Sequence, residues 1–427
     1  NYIHTLSNAS TSGLAVGMVT IAGSVTYRNN MIRLGLDAAG SGITTATGFI
    51  GYSEAAGNVN FYHNSIYIGG TGVGTTNTNT FAFNSTTTLN TRNYQNNIFF
   101  NARSNTSTGG KHYAIRVGGS AANPSGLVAG YNIMFANGTG GVMGLFFGTD
   151  YSTVSTWNAA VGSNNNLGNI SNDPEFIAPN GSSTTGDLHI HATNPTPAEA
   201  TGLNLSASVP TDFDGTTRSG VTPHDIGADA GNFTAAPNMT YTSSTVTQTN
   251  TSTVATATTN QQVIGLQVVT SGSLNPINIT SITFNTTGTT NVANIANAKL
   301  WSTGTSSTFA TTTQFGSTVA APNGSHAVTG SVTLLAGTNY FWLTYDVVCG
   351  STPTNVIDAE ITAIDVSGAQ TPTVTAPSGT RSIVQGPLNG TYTVGSGGDF
   401  ASLTAAIADI NSKGLGGNTT LSILNNL

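Results

Sequence analysis

Two carboxylates spaced two apart, Asp212 and Asp214, followed by Asp225 and Asp229, form the densest acidic set in this 427-residue chain. Such spacing suits a hard cation, which collects several oxygen ligands. Asp212, Asp214, Asp225 and Asp229 are the candidate calcium ligands, and no other cofactor is expected; the favoured reading is structural, with these acids bridging turns and the Arg218 guanidinium. His189 and His191 alternate and would share a strand face, but no third ligand at known spacing accompanies them. Cleavage of a sugar chain needs a Lys or Arg base beside calcium-holding acids, or two to three carboxylates in one cleft. Residues 1–150 offer only Asp37, Glu54 and Asp150, far apart in sequence, and the cations Arg28, Arg33, Arg92, Arg103, Lys111 and Arg116 lack acidic neighbours. No catalytic residue is therefore expected. Arg92 and Arg116 could face one groove, and Tyr52, Tyr62, Tyr67 or Trp157, if exposed, could stack on sugar rings.

What would position these side chains is a repeat. Asn1-Tyr2-Ile3, Asn30-Met31-Ile32, Asn64-Ser65-Ile66, Asn96-Asn97-Ile98 and Asn132-Ile133-Met134 follow one another at intervals of 29, 34, 32 and 36 residues. A second apolar series begins at Met18, Phe49, Phe81, Tyr113 and Leu145, so two strand-like segments return in each unit. A period of about 32 residues marks a solenoid. The segments are short, aromatic or β-branched and broken by Gly and Asn, which selects coils of strand over helix pairs. An aromatic, Tyr27, Phe61, Tyr94 or Tyr131, comes just before the repeating Asn. Stacked coils would align Ile3, Ile32, Ile66, Ile98 and Met134 in an interior column. Asn1, Asn30, Asn64, Asn96 and Asn132 would form a polar ladder at a corner, where Asn tolerates a bent backbone.

Composition agrees. Charged residues are 6% of the chain, against about 25% in ordinary globular proteins, so uncharged Thr, Asn, Ser and Gly must build the surface. A net charge of −7 with ten Lys and Arg gives no basic patch for nucleic acid. The single Cys349 cannot form an intramolecular disulfide and reads as a small buried hydrophobe. No apolar run is long enough for membrane insertion. The Thr arrays at Thr75, Thr76, Thr78 and Thr80 do not repeat with the coil, as a flat ice-binding ladder would require.

These coils resemble the right-handed parallel β-helices of the pectate-lyase-like superfamily, in the non-catalytic form of large bacterial surface proteins. The closing segment, 170–232, carries the same likeness. It reads Asp173-Pro174-Glu175-Phe176, then Asp187-Leu188-His189-Ile190, then Asp212-Phe213-Asp214-Gly215-Thr216-Thr217-Arg218 and Asp225-Ile226-Gly227-Ala228. It departs from the pattern at 195–200. The resemblance implies that these are the last coils of a β-helix spanning 1–232.

After a linker at 233–238 the pattern changes to alternating strands at 263–270, 277–285, 298–302, 328–335, 340–348, 356–365 and 381–384, an antiparallel β-sandwich over 239–385. Ala298-Lys299-Leu300-Trp301, Phe315-Gly316-Ser317 and the 335–346 stretch resemble the immunoglobulin-like module named after the N-terminus of bacterial sialidases. The name implies no chemistry here, since 239–380 contains no Arg and so no sialidase arginine triad. Residues 386–427 resemble the opening of a second β-helix: Asp399 as N-cap, a helix through Leu403, Ile407 and Ile410 ended by Gly414, then a strand at 419–424. The fold class is all-β. The resemblance implies an adhesive or structural stretch of a secreted or outer-surface Gram-negative protein of the Bacteroidetes type. Its implied partners are neighbouring modules or copies head-to-tail, and surface polysaccharide.

Overall fold

In the structure, a computed structural model, residues 1–7, 13–74, 78–162, 167–348 and 351–424 are described. Cys349, Thr75 and Thr76 lie outside them. The chain divides into two units, Asn1–Pro237 and Asn238–Leu427.

The first unit is a parallel β-helix with three sheets. Tyr2–His4, Met31–Leu34, Ser65–Ile68, Ile98–Asn101 and Ile133–Ala136 pair in parallel as the first sheet. Leu14–Thr20, Gly48–Glu54, Thr80–Ser85, His112–Val117 and Gly141–Phe146 form the second, closed by antiparallel Thr149–Tyr151. Two strands per coil were expected, and the structure adds a third. Ser24–Arg28, Asn58–Tyr62, Arg92–Gln95 and Leu127–Val128 make a third parallel sheet from the stretch that holds the pre-Asn aromatics Tyr27, Phe61 and Tyr94. Polar residues alternate there with single apolar ones, which weakens the strand signal in the sequence.

Inside, side chains from the three sheets meet in one core that includes Ile32, Ile66, Phe99 and Met134 with Tyr52, Phe83, Phe61 and Tyr94. Burial of each apolar side chain contributes about 1.5–3 kcal/mol. The expected column is corrected at its fourth member. Ile66 pairs with Phe99, while Ile98 pairs with Ser65 and Ile133. Because strand side chains alternate, that one-residue shift turns Ile98 to the opposite face. Gly51 sits where sheets crowd: a Cβ there would lie 2.3 Å from Ile66 Cγ2 and 2.5 Å from the Ala82 carbonyl. A helix absent from the sequence reading, Val154–Val161, starts at Thr153, whose hydroxyl accepts the Thr156 N–H, and buries Trp157 and Val161 in the same core.

The closing segment was expected to supply the last coils. Only Ile170 does, bridging Ile133. The rest covers the outer face of the first sheet, where Met31, Tyr67, Ile98, Phe100 and Ile133 pack against Phe176, Leu188, Ile190, Ala198, Ile226 and Ala228. The apolar outward residues of that sheet are the physical reason, since they need a cover. Part of the expected linker also belongs to this unit: Thr234–Ala235 runs parallel to Pro195–Thr196, and the Ala236 N–H donates to the Thr196 carbonyl.

The second unit contains an antiparallel sandwich. One sheet has the order Thr240–Thr247, Thr258–Ser271, Gly337–Val347, Ile295–Gly304, Thr313–Ala320. The other has Ser325–Thr333, Asn278–Asn285, Glu360–Val366, Ala369–Gln370. Leu266, Val268, Phe341 and Leu343 share one core with Ile279, Ile282, Phe284 and Ile361. Two of the strands missed in the sequence, Thr240–Thr247 and Thr313–Ala320, are the edges of the first sheet and are rich in Thr, Ser and Gln, and the two-residue edge Ala369–Gln370 was missed with them. Leu388–Val394 and Leu415–Ile423 then pair in parallel around the helix Leu403–Lys413. Its N-cap is Ser402, not Asp399, because the Asp399 carboxylate is held by the Thr393 N–H and hydroxyl, both at 2.7 Å. Gly414 ends the helix as expected.

Candidate functional site

The Asn ladder exists, with one member replaced and one added. The Nδ2 groups of Asn1, Asn30, Asn64, Asn97 and Asn132 donate to Oδ1 of the next asparagine, ending on Asn169, at 2.9, 2.7, 3.1, 3.0 and 3.4 Å. Each Oδ1 from Asn64 onward also accepts the main-chain N–H of the asparagine before it. The Nδ2 groups of Asn30, Asn64, Asn97 and Asn132 reach back to the carbonyls of Arg28, Tyr62, Gln95 and Gly130. Asn96 is therefore not a rung. It occupies the left-handed corner before the rung (φ 57°), as do Asn29, His63, Tyr131 and Gly168. Its amide instead ties down the closing segment, donating to the Leu203 carbonyl and accepting the Leu203 N–H. The doublet Asn29-Asn30 matching Asn96-Asn97 was the available signal.

Arg92 and Arg116 share no groove. Arg92 lies in the third sheet, fully buried, and donates to the carbonyls of Thr87, Thr88, Asn90, Gly118 and Ser125. Arg116 lies in the second sheet, over the Phe81 ring. Arg33, Arg103, Arg218 and Arg381 are buried on carbonyls in the same manner as Arg92. Five arginines thus serve as caps for main-chain oxygens, which lets Arg33, Arg92 and Arg103 be buried without an ion pair. The three coil acids also stand apart. Asp37 accepts the Ala39 and Ser41 N–H groups, Asp150 pairs with Lys111 and Tyr113, and Glu54 is sealed inside against the Tyr94 hydroxyl. Burial pushes the Glu54 carboxyl up. Of the candidate stacking aromatics, Tyr52, Tyr67 and Trp157 are buried in cores and only Tyr62 is partly open.

The four closing-segment acids divide into two pairs. Asp212 Oδ1 accepts the N–H groups of Asp214 and Thr216, and its Oδ2 accepts that of Ala230. Asp225 accepts the N–H groups of Ala200 and Gly231, one on each oxygen, and burial pushes its carboxyl up to about 7. Those two acids act as turn clamps, with the buried Arg218 guanidinium among them, donating to Gly227 and Ala228 carbonyls. Among the described residues the four acids are not drawn together as one ligand set, Asp212 and Asp225 being held on main-chain donors. Asp214 and Asp229 instead converge with His189, and one ligand atom from each lies within 4.8 Å of the others. His189 Nε2 is 2.8 Å from Asp214, and its Nδ1 is 2.5 Å from Asp187. Burial lowers the His189 imidazolium, but Asp187, Asp229 and Asp214 together more than offset it and the net shift is upward. His191 is elsewhere occupied, accepting from Thr193 and Asn194.

A cleft of ≈ 460 Å³ opens between the first sheet and the closing segment, lined by Tyr67, Phe100, Phe176, Asn180, Asp173 and Glu175 among others. The Tyr67 hydroxyl donates to Asn180 at 2.7 Å. Burial, with the Glu175 charge adding to it, pushes the Asp173 carboxyl up against the N–H of Glu175 that it accepts. Sequence reasoning singled out neither acid as a site residue; they lay inside a motif read as structural.

Residues 243–370 match a family model described as the N-terminal domain of BNR-repeat neuraminidase. That span falls in the antiparallel sandwich and leaves the β-helix unmatched. No curated protein matches the chain. Among solved structures, the chain is similar to "Hadza microbial sialidase Hz136" at 11% identity and a TM-score of 0.27. The similarity covers 33% of this chain and 31% of that one, so this chain spans about a third of that protein. The protein is thus an all-β chain that joins a β-solenoid to an immunoglobulin-like module of the sialidase-associated kind.

Proposed function

We propose that this chain is a non-catalytic structural and adhesive segment of a large bacterial protein, secreted or held at the outer surface of a Gram-negative cell. The observation that carries this reading is the ladder of five side-chain bonds from Asn1 to Asn169, in which the repeating polar residue of every coil is committed to the next coil. A column of that kind gives stiffness and protease resistance through continuous bonding and a continuous core. Neighbouring modules or further copies, head-to-tail, are its partners in this reading, together with surface polysaccharide; the sialidase-associated module supports a carbohydrate setting. Incubation of the full chain with pectins, alginates and glycosaminoglycans tests the reading. The expected result is no turnover and a β-helix that survives protease. Turnover that disappears in Asp173→Asn or Glu175→Gln would overturn it.

The 460 Å³ cleft favours a second reading, a glycan-binding module, because carboxylates and amides there surround the edges of Tyr67, Phe100 and Phe176. Saturable binding of one of those glycans, lost in Glu175→Gln without turnover, would select it.

A further inference from the structure

The geometry points to a zinc-type divalent metal site formed by His189, Asp214 and Asp229. Three separate stretches deliver the ligands. His189 sits on the strand Asp187–Ile190. Asp214 sits on the turn that Asp212 organises by accepting the Asp214 and Thr216 N–H groups. Asp229 follows the Asp225 clamp, and the Ile190 N–H fixes its Oδ2 at 2.8 Å. The set is one imidazole nitrogen with two carboxylate oxygens, within 4.8 Å of one another.

That donor set matches zinc, which takes His and Asp in a tetrahedron with ligand distances near 2.0–2.2 Å. Calcium prefers about six to eight oxygens, and Asp212 and Asp225 do not join the three ligand atoms that converge here. The imidazole is also oriented for the task. Nδ1–H donates to the Asp187 carboxylate at 2.5 Å, and Nε2 is the atom that faces the two carboxylates. A carboxylate behind a ligating histidine is the usual outer partner of such a metal and fixes its tautomer. The Phe213 ring meets the imidazole edge-on at 5.6 Å and holds its plane.

Separately from the ligands, a 260 Å³ hollow lined by Tyr2, Met31, Thr184, Asp187, His189 and Phe213 opens beside the imidazole. It gives solvent a path to the imidazole, while the half-exposed Asp214 opens the carboxylate side to water that can complete a four-coordinate site. On binding, the ion takes the place of the proton between Nε2 and Asp214, and that proton leaves to solvent. One ion would staple three stretches of the closing segment that share few main-chain bonds.

The test is calorimetric titration of metal-free, untagged full chain with Zn²⁺ and, in parallel, with Ca²⁺, followed by Co²⁺ substitution to read visible absorption. Expected are one Zn²⁺ per chain, a rise in Tm, and a tetrahedral Co²⁺ spectrum, all lost in His189→Ala and Asp214→Asn. Asp187→Asn should weaken Zn²⁺ by about 10–100-fold. The Asp214 side chain is 52% exposed, so its variant keeps the test alive should His189→Ala fail to fold. No saturable Zn²⁺ binding, Zn²⁺ binding unchanged in Asp214→Asn, or Ca²⁺ bound more tightly than Zn²⁺ would each overturn the assignment.

Discussion

The coil stack and the segment folded against it face one problem, a bent backbone with polar groups out of reach of water, and meet it with different chemistry. In the coils the answer is a carboxamide. It donates and accepts at once, so each asparagine bonds the next and the column can extend without limit. In the closing segment it is a carboxylate, which only accepts, so Asp212 and Asp225 gather main-chain N–H groups and stop. A residue that propagates suits a repeat; a residue that terminates suits a cover. The same contrast explains where charge is tolerated, since a charged rung would repeat its cost in every coil.

The contrast is most exposed at Asn97. Asn97→Ala strips the Asn64 N–H and Nδ2, the Phe61 and Gln95 carbonyls and Asn132 of their partner. With buried unsatisfied groups costing about 1–3 kcal/mol each and partly relaxing, a loss of roughly 3 kcal/mol is expected in urea unfolding. Asn96→Gly keeps the left-handed corner and loses the Leu203 clamp and the contact to His63 Nε2, about 1–2 kcal/mol by the same measurement. Equal losses at the two positions would break the distinction between rung and corner.

Titration sharpens the comparison through opposite signs. Burial pushes Asp225 up to about 7 from its ordinary 3.8. A carboxyl raised in the fold favours folding while protonated, so its contribution is full below about pH 4 and is lost as pH rises through about 7. His112 runs the other way: it is buried between Thr80 and Asn105, and burial lowers it from 6.5 to about 4. Its contribution is full above 6.5 and is lost as pH falls toward 4. Hydrogen exchange, corrected for intrinsic rates, should show the 225–231 amides opening from pH 5 to 8 and those of His112–Val117 opening from pH 6.5 to 4.5. The smallest effect belongs to the exposed Lys111 and Asp150 pair, where Lys111→Ala should change stability by at most about 0.5 kcal/mol.

Much of this was legible in the residues. The period, the interior aromatics and the polar corner follow from Asn and apolar spacing. What failed was phase: two adjacent asparagines at 96 and 97 fit the repeat, and demanding Ile or Met two places on selected the wrong one when Phe99 was the true interior residue. The third sheet was hidden because four or five residues of alternating polarity resemble a loop. The site was half visible, with Asp214 and Asp229 named but His189 set aside, since its partners arrive from 25 and 40 residues away and no short-range spacing announces them. The cover over the first sheet was the hardest to foresee, because the outward apolar residues Tyr67, Ile98 and Phe100 sit beside inward ones and read as one continuous hydrophobic strand.

The register itself is the central claim, and cysteine cross-linking tests it most directly. In a Cys349→Ser background, the pair Ile66→Cys with Phe99→Cys places two thiols on neighbouring strands and the same interior face, whereas Ile66→Cys with Ile98→Cys places them on opposite faces. Under mild oxidation the first pair should close to a disulfide and the second should keep both thiols free. Closure of the 66/98 pair with free thiols in the 66/99 pair would contradict the stack described here.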